Sequence, residues 1–201
     1  GLGVLCEKLG IPVYANRLTR DAIGRVCDKA LCYRVFETGS AFTVGDIEVQ
    51  SFSVPHDAMD PVGFALRTGA GEIGFLTDLG HVTKLVLERV RKSRVLVLEA
   101  NHDREKLRVA PYDWAVKQRI FSPRGHLDNV DAGALLARLG ADGRRRTAWL
   151  AHLSECANSP TIALGIIQNV LSIAQVRCFD VHALPRHAAL IWESDQHMQQ
   201  L

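Results

Sequence analysis

One change of pattern constrains the fold of this chain more than any other feature. Short β-rich runs between glycine turns give way, beyond Asp78, to helical and strand patterns in alternation. The first set comprises Tyr33 to Phe36, Ala41 to Val44, Ile47 to Val54, Val62 to Arg67 and Glu72 to Thr77. Gly39-Ser40, Gly45-Asp46 and Gly69-Ala70-Gly71 separate these runs, and glycine supplies the positive φ that tight hairpins require, so the spacing predicts an antiparallel meander. Upstream, Ile11 to Ala15 reads as a strand after a stop at Gly10, and Thr19 as the cap of a helix carrying Ala22, Ile23, Val26 and Ala30. Downstream, Val82, Leu85, Val86 and Val90 share a helical face and Val95 to Leu98 reads as a buried strand. Helices are predicted over Tyr112 to Phe121, Asp128 to Leu139 and Ser159 to Leu171, and strands over Ala148 to Ala151 and Gln175 to Phe179. Meander strands followed by alternation predict an α/β fold of sheets flanked by helices. No repeat, low-complexity tract or linker divides the 201 residues, so one domain over 1–201 is expected.

Composition excludes little but is consistent with this. With 47% hydrophobic and 23% charged residues the chain is an ordinary soluble globular sequence, and charges interrupt every apolar stretch, so no membrane partner is expected. A net charge of +2 does not by itself announce nucleic acid, and Arg144, Arg145 and Arg146 after Gly143 read as a solvated turn rather than a phosphate contact. Five cysteines with no CxxC pair fit neither a disulfide framework nor a zinc ribbon, which points to a reducing cytoplasm. Cys27, on a helical pattern, and Cys178, on a strand pattern, read as small buried hydrophobes.

The functional signal is a set of polar residues just after strand ends, where a rigid sheet holds side chains that loops leave accessible. His56 follows the run ending at Val54, and its imidazole could ligate a metal or cap a turn. In Phe75-Leu76-Thr77-Asp78-Leu79-Gly80 an apolar strand runs into Asp78, whose carboxylate could bridge two divalent ions or cap the next helix. His152 terminates a hydrophobic strand, and His126 sits in a glycine-containing loop before a helix capped near Asp128. Glu99, Asn101, His102 and Asp103 follow another buried strand, where they could orient ligands from behind or cap the following helix. His81, His182, His187 and His197 lack such a setting and read as surface or core residues.

In order along the chain, Pro-His-Asp-Ala, Thr-Asp-Leu-Gly, Leu-Glu-Ala-Asn-His-Asp, Gly-His-Leu-Asp-Asn and Ala-His-Leu-Ser-Glu resemble the metallo-β-lactamase superfamily, and within it the YycJ-like (WalJ) group. The resemblance implies an αββα sandwich and a hydrolase that uses two divalent metal ions, zinc or manganese, to activate water. Residue by residue it implies metal ligation by His56, Asp78 and His152. It also implies that His126 contacts the scissile phosphate or protonates the leaving oxygen. The implied substrate is a phosphodiester, with DNA exonuclease activity first and a small cyclic phosphodiester next. A metal-free regulatory or structural member of the fold is a further alternative, as is a hydrolase of thioesters or lactams. The superfamily's first ligand motif, His-x-His-x-Asp-His, occurs nowhere in these residues, and Gly1 stands where a methionine would begin a chain. The expectation is therefore a C-terminal portion without the N-terminal strands and first metal motif. Such a portion would leave apolar surface uncovered and by itself bind metal weakly with little or no activity.

Overall fold

In the computed structural model, residues 2–188 are described in full, and 190–193 and 196–200 by their backbone. The chain opens with α1 (Leu2–Leu9), β1 (Val13–Asn16) and α2 (Arg17–Val26). The cap of α2 is Asn16 and not Thr19: the Asn16 side chain accepts the Thr19 N–H at 2.9 Å, so Thr19 is the donor in the first turn. The helix stops at Val26, short of Ala30, with Cys27 as its extended C-cap and only half-buried. β2 (Tyr33–Phe36) does not join the meander. It pairs in parallel with β1, from Val13 opposite Tyr33 to Asn16 opposite Phe36, because α2 provides the helical crossover that a parallel pair needs.

The meander proper is β3 (Ala41–Val44), β4 (Ile47–Ser53), β5 (Val62–Thr68) and β6 (Gly71–Leu76), each antiparallel to the next. There follow α3 (Lys84–Val90), β7 (Val95–Glu99), α4 (Arg104–Val109), α5 (Trp114–Phe121), α6 (Asn129–Gly140), β8 (Arg146–Ala151), α7 (Pro160–Ile173) and β9 (Phe179–Ala183). β10 (Leu190–Glu193) and β11 (Gln196–Gln200) form a separate antiparallel pair. Strands β3 to β9 make one seven-stranded sheet in sequence order, parallel from β6 onward. β9 begins at Phe179, where the predicted strand ends. The residues before it terminate α7: the N–H groups of Gln175 and Val176 go back to the carbonyls of Ser172 and Leu171, with Gln175 at φ 56°. Cys178 consequently lies in the connection, half-buried.

On one face of the sheet Leu76, Leu96, Leu98, Ala148 and Leu150 have no exposed surface, and they belong to one core with Val86 and Val90 of α3, Leu135, Leu136 and Leu139 of α6, and Ile167 and Leu171 of α7. Burying each leucine or isoleucine stabilises the fold by roughly 1.5–3 kcal/mol. On the other face Phe36 of β2 stacks on Phe42 at 4.8 Å between centroids and meets Phe64 edge-on at 6.0 Å, while Tyr14 of β1 stacks on Phe42 at 5.2 Å. α2 packs against β1 and β2. The layers are thus helix, sheet, sheet, helix, and among the described residues the second sheet is the β1–β2 pair. Phe75, the cross-strand partner of Phe64, remains 39% exposed.

This topology decides where the polar strand ends go. β6, β7 and β8 are parallel neighbours, and β4 runs in their direction because two antiparallel steps separate it from β6. The C-terminal ends of β4, β6, β7 and β8 therefore lie along one edge of the sheet. That edge receives His56, Asp78, Glu99 and His152.

Candidate metal centre

Glu99 ends β7 with no exposed surface, and every atom of its carboxylate is in use. Oε1 accepts from Nδ1 of His126 at 2.7 Å and from Nδ1 of His152 at 2.8 Å, and Oε2 accepts the Leu79 N–H at 2.9 Å. Burial opposes ionisation of Glu99, but the bonds from His126, His152 and Leu79 outweigh it and hold the carboxyl below its ordinary value. The same contact raises the pKa of His152, against the effect of its partial burial. His126 lies between the two other site imidazoles, its ring centroid 5.0 Å from that of His56 and 5.1 Å from that of His152.

Asp78 faces this group from the loop after β6. Its Oδ1 is 3.4 Å from Nδ1 of His152, 3.7 Å from Nδ1 of His126 and 3.8 Å from Nε2 of His56. Asp78 is not a helix cap, because Thr83 caps α3. Asp78 and His152 have φ of 56° and 57°, in the left-handed region that non-glycine residues seldom occupy. Two of the most polar positions of the site thus sit on strained backbone directly after their strands, an arrangement that the surrounding sheet has to enforce.

His56 is held by the segment that leads into His126. Its Nδ1–H donates to the Gly125 carbonyl at 2.9 Å, and Arg124 Nε donates to the His56 carbonyl at 3.3 Å. Arg119, on α5, pairs with Asp57, pulling that carboxyl down to about 2, chiefly by its hydrogen bond. His81 donates Nδ1–H to the Pro123 carbonyl at 2.8 Å, so this histidine is a clamp on the same segment. The chains touch so closely that a Cβ on Gly80 would lie 2.3 Å from the Pro123 carbonyl oxygen, and one on Gly125 2.2 Å from those of Arg119 and Ile120. Residues 119–126 form a strap that ties His56 to His126. None of its long-range bonds was visible in the sequence, because a contact across 69 residues leaves no local pattern.

The remaining expected residues divide. Asn101 Nδ2 donates to the His152 carbonyl at 2.9 Å and so steadies the backbone of that residue. Asp103 instead caps α4, accepting the Lys106 N–H. His102 is buried against Phe121, 5.5 Å away edge-on, with Nδ1 unpaired, and burial lowers its pKa. The side chain of His197 lies outside the described residues.

Asp78, Glu99, His126 and His152 each place a possible ligand atom within 4.8 Å of the others. The carboxylates of Asp78 and Glu99, brought within 4.8 Å of one another, repel unless positive charge lies among them, and either protons on the imidazoles or a cation can supply it. The mixed nitrogen and oxygen donors suit a divalent metal ion. Because both oxygens of Glu99 already accept hydrogen bonds, its part in such a site is to orient the imidazoles of His126 and His152, while Asp78 Oδ1, His56 Nε2 at 3.8 Å from it and the His152 nitrogen not bonded to Glu99 are the atoms left to meet an ion. The residues present therefore fit a divalent metal.

Comparison with known proteins agrees with this geometry. A family model described as a beta-lactamase superfamily domain matches residues 1–153. The chain is 36% identical over 173 residues to an exodeoxyribonuclease YycJ of Bacillus anthracis, covering 85% of this chain and 65% of that protein. It is 37% identical over 183 residues to an exodeoxyribonuclease WalJ of Streptococcus pneumoniae, covering 88% of this chain and 66% of that protein. It thus spans about two thirds of the length of these curated relatives. Among solved structures, the metallo-β-lactamase fold protein YhfI from Bacillus subtilis superposes with a TM-score of 0.63 over 86% of this chain and 61% of that one, at 16% identity, a likeness of fold. By the family match, and by a layered fold that carries its histidines and aspartate at one sheet edge, the chain belongs to the beta-lactamase superfamily.

Proposed function

We propose that the protein is a metal-dependent phosphodiesterase acting as a DNA exonuclease, with His56, Asp78 and His152 as metal ligands and His126 as the side chain that meets the scissile phosphate. The observation that carries this is the convergence of Asp78, His126 and His152 on the buried carboxylate of Glu99. A divalent ion bound there supplies Lewis acidity toward water and a phosphoryl oxygen. Glu99 keeps both imidazoles turned toward Asp78, and Asn101 fixes the backbone of His152. Asp78 is half exposed, which leaves the centre open to a substrate. The strap from Arg119 to Gly125 sets His56 against His126, so that an imidazolium at His126 can stabilise or protonate the departing oxygen. Exonuclease action on DNA is supported by the relatives' names rather than by a substrate contact. Two ions, as the superfamily resemblance implies, require donors beyond this cluster, and weak metal binding with little activity is expected of the 201 residues alone. Five free cysteines fit a reducing cytoplasm, and no helix among the described residues is long and apolar enough to cross a membrane.

The test is to express the full reading frame, measure bound zinc and manganese, and assay single- and double-stranded DNA beside a cyclic dinucleotide and bis(p-nitrophenyl) phosphate. The proposal expects bound metal and release of nucleotides from a DNA end. Hydrolysis of the cyclic diester alone would replace the substrate, and a metal-free, inactive protein would remove the enzyme reading.

A further inference from the structure

The segment 104–124, which contains α4 and α5, is unlike the rest of the chain in charge. It holds six basic residues (Arg104, Lys106, Arg108, Lys117, Arg119, Arg124) against two acidic ones (Glu105, Asp113), a net +4, so the other 180 residues carry −2 of the chain's +2. Two of these cations are committed: Arg104 pairs with Asp128 and Asp131, and Arg119 with Asp57. Arg108 makes an exposed pair with Glu105. Lys106, Lys117 and Arg124 have no carboxylate within ion-pair distance among the described residues.

The same segment exposes apolar surface that a helix ordinarily hides. α5 has no buried residue, Trp114 is 67% exposed, and Val109, Val116 and Phe121 of the same segment are exposed too. Lys117 Nζ donates to the Arg108 carbonyl at 2.7 Å, which holds α5 against the end of α4. At its other end α5 reaches the metal centre: Arg119 binds Asp57 next to His56, and the Ile120 carbonyl accepts the His126 N–H at 3.1 Å. An eight-residue helix spans about 12 Å, so Trp114 stands a few nucleotides' reach from the histidines. An exposed indole with Lys117 one helical turn on, in a basic segment that ends at a phosphodiester-cleaving centre, has the chemistry of a single-strand platform: the ring stacks a base and the cations track phosphates.

We propose that α4 and α5 bind the single-stranded polynucleotide leading away from the metal centre, with Trp114 stacking a base and Lys106, Lys117 and Arg124 meeting its phosphates. This rests on the phosphodiesterase reading and deepens it, because a small cyclic diester would have no use for such a surface. The test is binding of a fluorescent single-stranded oligodeoxynucleotide to the protein from its full reading frame, in chelator to prevent cleavage and over a range of salt. Trp114→Ala should weaken binding about fivefold to a hundredfold without altering the salt slope. The double change Lys106→Gln, Lys117→Gln should flatten that slope by about 1.4, two phosphate contacts at roughly 0.7 each. If a variant does not fold, ultraviolet crosslinking of the unaltered protein should place the adduct within 104–124, and an adduct elsewhere overturns the proposal. Unaltered affinity in both variants overturns it too, as does stronger, Trp114-dependent binding to phosphatidylglycerol vesicles. Hydrolysis of bis(p-nitrophenyl) phosphate by the metal-loaded protein reports the phosphodiesterase reading separately: if it persists while the platform variants bind normally, only the platform fails.

Discussion

Glu99 is a buried acid that holds two imidazoles through one oxygen and a backbone N–H through the other. An amide there keeps the shape but loses the charge that orients both rings. Glu99→Gln is therefore expected to weaken metal binding by about tenfold to a hundredfold, read by competition with a chelating dye. An unchanged affinity would mean that the carboxylate does not set the ligands. The residues around it were legible to differing degrees. His56, Asp78, His126 and His152 stand out in the sequence because each follows an apolar strand or sits in a glycine loop; the sheet brings His56, Asp78 and His152 to one edge, and the strap after α5 adds His126. His81 gave no such signal. Its work is a bond to the Pro123 carbonyl 42 residues away, and its neighbours in sequence carry no trace of that partner. Asp103 and Asn101 look alike in sequence, yet one caps a helix and the other binds the His152 carbonyl, a difference decided by where β8 ends.

Among the elements, the strap from α5 to His126 is the part most sensitive to small changes. A methyl group on Gly125 would fall 2.2 Å from two backbone carbonyl oxygens, so the segment must move. Gly125→Ala is expected to cost about 1–3 kcal/mol of stability and to separate His56 from His126. A lowered melting temperature together with reduced metal content would show both effects. A melting temperature within a degree of the unaltered protein would show that the strap yields freely. The meander from Ala41 to Leu76 was readable because its glycine turns fall where hairpins need them. β2 was misplaced because four residues of strand pattern do not reveal whether the next turn or the preceding helix chooses the partner. The start of β9 was misplaced because an apolar run after a helix serves cap and strand equally well until the Gln175 turn divides it.

At the scale of the whole molecule, the α/β layering follows from the switch of period at Asp78, and the helix-facing core from the apolar stripes of α3, α6 and α7. The reading of Arg146 as part of a solvated turn is wrong: it opens β8 and is buried, donating to the carbonyls of Ser93, Leu139 and Arg91 and to both oxygens of Asp142, so that it joins β8 to the ends of α3 and α6. That hydrogen bond holds the Asp142 carboxyl well below the ordinary 3.8, helped by the Arg144 N–H. A depressed folded-state pKa gives stability that is complete above the unfolded value and is lost as pH falls toward the folded one. Asp142→Asn should therefore lower the melting temperature at pH 7, and the gap to the unaltered protein should narrow below about pH 4. A gap that does not change with pH would mean the pair adds no charge-dependent stability. The central claim, that the edge carrying His56, Asp78 and His152 is a metal centre in which His126 serves the chemistry, is tested most directly by metal content. Divalent metal bound by the protein from its full reading frame should be measured for the unaltered form, His152→Ala and His126→Ala. The account predicts metal in the first, loss in His152→Ala and retention in His126→Ala despite reduced turnover; equal loss in the two variants, or no metal in the unaltered protein, would contradict it.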